Sequence, residues 1–273
     1  MKLTINHLTR YSYDEEVKFS TQYLRLTPQD SGHQHIRAWT LTFPECASVA
    51  TTDTWGNVLH VLTLDNPHKE IVIHAQGIVD IADNEESNET DDEPAQVSPL
   101  VFLRSTPLTQ ADDAIRAFAS HYFQPEAPVE SLTTLMAALR ERMPYSPGAT
   151  QVQDSAAEAF DRGMGVCQDH SHVFLACCRS LQIPARYVSG YVYSKDTHHV
   201  AMHAWVEVWL DDRWLAFDIT NNTRSLAQHL KLAVGLDYLD ACPVRGSRLG
   251  GGAEVMFSEA EVRQFSQQAQ QQQ

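Results

Sequence analysis

The chain has 273 residues, 43% of them apolar and 9% aromatic, a globular composition long enough to bury a core without disulfide staples. Its 35 acidic and 20 basic residues give a net charge of −15, which argues against a general nucleic-acid or anionic-membrane binder, since both need basic patches. No apolar run approaches the ~18–20 residues that span a bilayer. The five cysteines make no disulfide framework, and residues 1–13 alternate polar and apolar instead of forming a secretory signal, so a reduced, cytoplasmic protein is expected.

In chain order, residues 1–82 read as β. Leu3, Ile5, His7, Thr9, Tyr11 and Tyr13 stand at period two. A strand over 36–43 has apolar residues at both parities, as if buried on both faces. Asp53-Thr-Trp-Gly-Asn57 is a turn cluster before a strand over 58–64, and 71–81 is a further β run. Strands separated by turn signals predict an antiparallel sheet or sandwich. Residues 83–99 are a solvated linker by composition: 80–93 alone holds eight acidic residues and no Lys or Arg. The Gln-rich 266–273 is expected to be a frayed tail.

Residues 100–265 then change period. Thr109-x-x-Asp112 is a capping-box-like start for a helix with Ile115, Phe118, Ala119 and Tyr122 on one face. Leu132, Leu135, Met136, Leu139 and Met143 mark a second helix, stopped by Pro144. Ser155-x-x-Glu158 opens a short third helix that Gly163 ends, and a fourth is expected over 166–181. Strands over 186–193, 203–210 and 214–218 follow. The fold class is α+β, an N-terminal antiparallel β domain followed by a helix-then-strand core.

Chemistry gathers in that core. Cys167 follows Gly163-Met-Gly165-Val and opens the fourth helix, where the dipole and free N–H groups favour a thiolate. By position alone, a small buried hydrophobe competes with that reading. Cys46, Cys177, Cys178 and Cys242 lack such a position and read as structural. His203-Ala-Trp-Val-Glu-Val-Trp-Leu210 and Trp214-Leu-Ala-Phe-Asp218 predict a hairpin. With Asp211-Asp212 as a two-residue turn, Trp205 opposes Asp218, Val206 and Val208 meet Phe217 and Leu215, and His203 and Asp218 become diagonal neighbours on the other face. Asp-Asp is not a favoured sequence for that turn. Trp205, Trp209, Trp214 and Glu207 share the His203 side. The tryptophans either wall a cleft or pack on the N-terminal domain, and Glu207 is a candidate for holding an amine.

These residues carry a resemblance. Gly165-Val-Cys-Gln-Asp-His-Ser-His172, Ile183-Pro-Ala-Arg-Tyr-Val-Ser-Gly-Tyr191, His203-Ala-Trp-Val-Glu207 and Phe217-Asp-Ile-Thr-Asn221 resemble the bacterial transglutaminase-like superfamily, as does Tyr145-Ser-Pro-Gly-Ala-Thr150 upstream. His7-Leu-Thr-Arg-Tyr-Ser-Tyr13, Tyr23-Leu-Arg-Leu-Thr-Pro28 and the 53–57 turn resemble the β domain that often precedes that core in bacteria. The resemblance implies a papain-like core with Cys167 as nucleophile, His203 as base and acid and Asp218 as orienting carboxylate. The chain departs from the family pattern at Ile219, where Pro is usual, and at His170, where relatives often carry an aromatic residue. His170 and His172, close to Cys167 on its helix, are candidates for altering the local charge.

The expected activity is thioester chemistry on a peptide or protein amide, with hydrolysis exceeding amine transfer. The oxyanion donors would be the Cys167 N–H and Tyr145. A Gln–amine crosslinking transglutaminase and a non-catalytic binding module are the alternatives. The histidines and cysteines lack the paired spacing of zinc sites, so neither metal nor cofactor is predicted.

Overall fold

The computed structural model describes residues 1–82, 89–90, 97–195, 199–200 and 202–265. The elements are β1 (Lys2–Leu24), β2 (Gln34–Thr42), β3 (Ala47–Thr52), β4 (Val58–Leu64), β5 (His68–Ile81), β6 (Glu89–Thr90), α1 (Asp113–Tyr122), α2 (Pro128–Arg142), α3 (Ala156–Arg162), α4 (Cys167–Ser180), β7 (Ala185–Val192), β8 (His199–Val200), β9 (His203–Leu210), β10 (Arg213–Phe217), β11 (His229–Gly235), α5 (Tyr238–Ala241), β12 (Val244–Gly250) and β13 (Glu254–Gln264). Among the described residues, no helix is long and apolar enough to cross a membrane.

An antiparallel sheet is built on β1, whose period-two pattern continues well past Tyr13. β5 pairs with its first half and β4 with its last residues. On the other side β13 pairs with residues 3–13 and β12 with 17–24. The chain therefore returns to its first domain, and the assignment of 100–265 to one catalytic domain needs correcting: the core ends before β12, and 244–264 belongs to the N-terminal sheet. The chain passes from β12 to β13 through Gly250, Gly251 and Gly252, all with positive φ (85°, 94° and 60°), a path that L side chains rarely take. β2 is not buried on both faces. Among the described residues it pairs only with β5 in the N-terminal sheet, and it exposes much of its length. Of the acidic linker, the described part includes Glu89–Thr90, which pairs with β10. Residues 83–88 and 91–96 and the Gln-rich tail lie outside the described residues.

The core is a five-stranded sheet in the order β11-β7-β9-β10-β6. One face packs on α4: Ala185, Tyr187, Ala204, Val206, Val208, Leu215 and Phe217 meet Val173, Phe174, Ala176 and Cys177 in one apolar cluster that also takes in α1, α2 and α3. The α3 start is the expected capping box, with Ser155 and Glu158 bonded reciprocally, and Gly163 ends it at φ 71°. α1 begins differently. Asp112 is itself the N-cap, accepting from the Ile115 N–H at 2.8 Å, while the buried Thr109 hydroxyl accepts from Arg179.

The N-terminal sheet buries Leu3, Ile5, Ile73, Val79, Ala260 and Val262 against Tyr191, Tyr193, Leu230 and Leu232 of the core. β11 is an edge strand, and side chains of the first domain cover that edge as a partner strand would. Gln34 bonds both the N–H and the carbonyl of Lys231. Asn57 bonds both the N–H and the carbonyl of Val234, each at 2.8 Å. The 53–57 turn is thus a docking plug, held rigid because Asp53 accepts from Trp55 N, from both nitrogens of Asn57 and from Arg25. Asn57→Ala leaves two buried backbone groups on β11 unpaired. It should destabilise the fold by about 1–3 kcal/mol in denaturant titration, and an unchanged midpoint would show that the plug carries no load.

Candidate active site

The site forms where α4 begins and the β9–β10 hairpin ends. The hairpin has the expected register, Arg213 opposite Leu210 and Phe217 opposite Val206. Asp211 and Asp212 form its turn with φ values of 49° and 60°, left-handed positions that Asp tolerates better than most residues. This places His203 beside Asp218, with Nε2 donating to Oδ2 at 2.7 Å. Both are buried. The Cys167 side chain lies close enough to the same imidazole to help hold it above its ordinary value. Cys167 is itself half-buried.

α4 aims that thiol. Val166 is the N-cap and has no capping side chain. Asp169 in the first turn reaches back instead: its Oδ2 accepts from the Val166 N–H at 2.7 Å and from the Thr150 hydroxyl at 2.6 Å. Gly165 is needed because a Cβ there would lie 2.6 Å from the Asp169 Cβ. The strand-like stretch at Tyr145 runs parallel to Gly165, with the Ser146 N–H donating to the Gly165 carbonyl at 2.8 Å. The structure thereby brings Tyr145 to the site, half-exposed, its phenol pushed up first by burial and then by Cys167. A helix leaves its first N–H groups without intrahelical acceptors, so the Cys167 N–H is available at the same end.

The buried carboxylate sets the electrostatics. Burial alone would raise Asp218, but His203 and His229 outweigh it and hold it well below the usual carboxylate range. Burial likewise pulls His203 down, and Asp218 first, then Cys167, overcome that and lift it to about 10. Asn221 donates from its backbone N–H to Asp218 Oδ1 at 3.1 Å and from its amide to Oδ2 at 2.7 Å. His229 donates to Oδ2 at 2.8 Å. Sequence reasoning missed His229, Asn221, Asp169 and Thr150 as parts of the site. Asn221 carried a signal, an Asn three residues past an Asp in a turn, and Asp169 carried another at the third helical position. His229 carried none.

Two expectations need correction. Trp205 and Glu207 do not wall an open cleft. Trp205 is 1% exposed, packed with Val188, Ala216, Leu226 and Trp55 on the sheet face away from α4, and it stacks on His203 with ring centroids 6.2 Å apart. Glu207 is fully buried, its Oε2 accepting from Arg186 Nε and a second guanidinium nitrogen at 2.8 and 2.6 Å while Lys231 Nζ lies 3.2 Å from Oε1. A carboxylate paired twice over is not free to hold a substrate amine. Nor do His170 and His172 add charge near Cys167, because burial lowers both, His172 to about 4. His170 bridges the Met143 carbonyl and the Thr220 hydroxyl, tying α4 to the Asp218 loop. Cys177 and Cys178 are buried in the core, as expected.

His203, Asp218 and His229 are the one group among the described residues whose donor atoms converge closely enough for a metal, within 4.8 Å of one another. Both Nε2 atoms, however, stand at hydrogen-bond distance from a single carboxylate oxygen. A ring whose Nε2 carries a proton has no lone pair there to give a cation.

The raised His203 value makes a stability prediction. The folded protein keeps a proton that an unfolded histidine releases near pH ~6.5. The contribution is complete below that value and is lost as the pH rises towards about 10. Asp218→Asn removes the main cause, so unfolding titrations at neutral and alkaline pH should show a smaller alkaline loss in the variant than in the wild type. Equal losses would detach His203 from Asp218.

Residues 116–219 match the transglutaminase-like superfamily core, and residues 3–80 match the bacterial transglutaminase-like N-terminal region. An uncharacterized protein of Mycobacterium leprae is 29% identical over 265 residues, covering 92% of this chain and 95% of that one. An uncharacterized protein of Mycobacterium tuberculosis is 30% identical over 269 residues, covering 89% and 86%. The crystal structure of a "putative cysteine protease" from Cytophaga hutchinsonii superposes with a TM-score of 0.78 at 22% identity, over 97% of this chain and 91% of that one, a likeness of fold. With both matched regions in order along one chain and relatives aligned over nearly its whole length, the protein belongs to the transglutaminase-like superfamily.

Proposed function

We propose that the protein is a cysteine-dependent amide hydrolase of the peptidase or amidase type. The observation that carries this is the buried His203, bonded through Nε2 to Asp218, with partly buried Cys167 at a helix start close enough to help lift the same ring. With Nε2 committed to the carboxylate, Nδ1 is the ring nitrogen left for the thiol. Cys167 Sγ attacks the amide carbonyl carbon, and its proton rests on His203. The oxyanion is held by the Cys167 N–H, with the Tyr145 phenol as second donor. The C–N bond breaks as His203 gives its proton to the departing ammonia or amine, leaving a thioester. Water then attacks, His203 takes its proton, and the acid departs as the thiol is restored. The cysteine-protease description of the Cytophaga hutchinsonii protein agrees with this reading.

Transfer to an amine requires a second site that holds the amine and excludes water. Glu207 was the residue that offered one, and its pairing with Arg186 and Lys231 favours hydrolysis.

Two measurements test the reading. In wild-type protein incubated with cell extract, intact mass should reveal an acyl adduct on Cys167. Cys167→Ala should lose the adduct, fold normally, and lower turnover of any amide found by roughly 10⁴-fold or more. Retention of more than a few per cent of activity would remove Cys167 from the reaction. Separately, a glutamine-containing protein mixture supplied with a fluorescent primary amine should release ammonia or cleaved peptide faster than it incorporates amine. The reverse order would make the protein a transglutaminase, and no product at all would favour a binding module.

A further inference from the structure

Asp218 holds a second imidazole that the reaction above does not use. His229 donates from Nε2 to the same Oδ2 that accepts from His203. Its backbone carbonyl accepts from His33 Nε2 at 3.0 Å, and His33 lies between β1 and β2 of the other domain. These bonds fix the proton positions: a neutral ring that donates from Nε2 presents Nδ1 as a bare acceptor. The Nδ1 atoms of His33 and His229 are buried and have no protein partner, and the same is true of the Trp205 indole N–H. The three residues line one small pocket between the domains, together with Ser31, Gln34 and Glu207. Their exposures are 6%, 3% and 1%. Buried polar groups left unpaired cost stability, and folds normally satisfy them, often with an internal water. One donor and two acceptors are the complement of a single water, which accepts from the indole and donates to both ring nitrogens.

We propose that His229 is a positioning residue for the Asp218–His203 pair, held by an internal water shared with His33 and Trp205, so that the N-terminal domain completes the site. A carboxylate with one hydrogen bond turns about its side-chain torsion. Asp218 is locked by His203 and His229 on Oδ2 and by Asn221 on both oxygens. His229 is the member of that set tied to the other domain, through its carbonyl, while its ring meets Trp205 of the core edge-on at 5.0 Å. Lost orientation lowers rates steeply, since a 1 Å misplacement costs on the order of 10²-fold.

This inference rests on the proposed function for the meaning of the pair, and the test separates the two. The full chain is alkylated with iodoacetamide across the pH range and Cys167 modification is read by mass. Wild type, His229→Phe and His229→Gln are compared. Phe keeps the ring against Trp205 and donates nothing, whereas Gln keeps an N–H. The expected result is a fall of about tenfold or more in the His229→Phe rate near pH ~6, with the profile moved towards that of a free thiol. His229→Gln recovers most of the loss at an unchanged unfolding midpoint. In the wild type, ¹⁵N-histidine spectra should show the Nε2–H tautomer for both His33 and His229. Superimposed profiles for wild type and His229→Phe, or an Nδ1–H tautomer for His229, would overturn the inference. If the wild-type thiol reacts no faster than a free one, the proposed function fails. The inference is then decided by the His203 ring signals, which must change tautomer or titration in His229→Phe to sustain it. Should His229→Phe not fold, the Gln variant and the wild-type spectra decide.

Discussion

A carboxylate taken out of water must be repaid in hydrogen bonds, and Asp218 is where this protein meets that constraint. Its donors come from separate parts of the chain: His203 from the start of β9, His229 from the start of β11, and Asn221 from the loop between β10 and β11. The folded chain has to bring all three to one point before the charge is tolerable. The sheet register supplies His203, the turn at 218–223 supplies Asn221, and β11, clamped by Gln34 and Asn57, supplies His229. Removing one donor leaves a buried charge partly unpaired, which is why a single substitution there reaches both stability and reactivity.

A second buried carboxylate, Glu207, does opposite work on the same sheet face. Glu207 is two strand positions beyond Trp205, and Arg186, Lys231 and the ring of Trp214 surround the ion pair, with the Arg186 guanidinium 4.1 Å from the Trp214 centroid. His203 and Glu207 both lie on that face, yet one carboxylate is tuned by imidazoles and the other neutralised by permanent cations. Asp218 thus remains the carboxylate that responds to a histidine proton, and Glu207 is fixed in a structural pairing between the core strands β7, β9 and β11.

How much of this was legible depended on the range of the interaction. The hairpin was readable because alternation in 203–210 and 214–218 admits one register that leaves an apolar face whole, and the observed pairs follow it despite an unfavoured Asp-Asp turn. α4 was readable from the glycines before Cys167 and the apolar spacing after it. The return of β12 and β13 to β1 was not. β13 buries Ala260 and Val262 and leaves most of 254–259 exposed, so its pattern is too polar to announce a central pairing, and its partner stands some 250 positions away. Glu207 was misread because alternation assigns a face without saying what covers it. The cations that bury it come from β7 and β11.

His229 was invisible for a related reason. Its ring matters only because Asp218 and the His33 segment of the first domain converge on it, and nothing in the local pattern around a strand start encodes two distant partners. The same convergence explains the two-domain arrangement. An edge strand such as β11 invites pairing with other chains, and the first domain blocks it with side chains: Gln34 and Asn57 satisfy its backbone, and His33 holds the carbonyl of the residue that steadies Asp218. Protection of the sheet edge and orientation of the carboxylate are then one set of contacts. A substitution that loosens the domain junction should reach the thiol through β11, without touching any residue that meets a substrate.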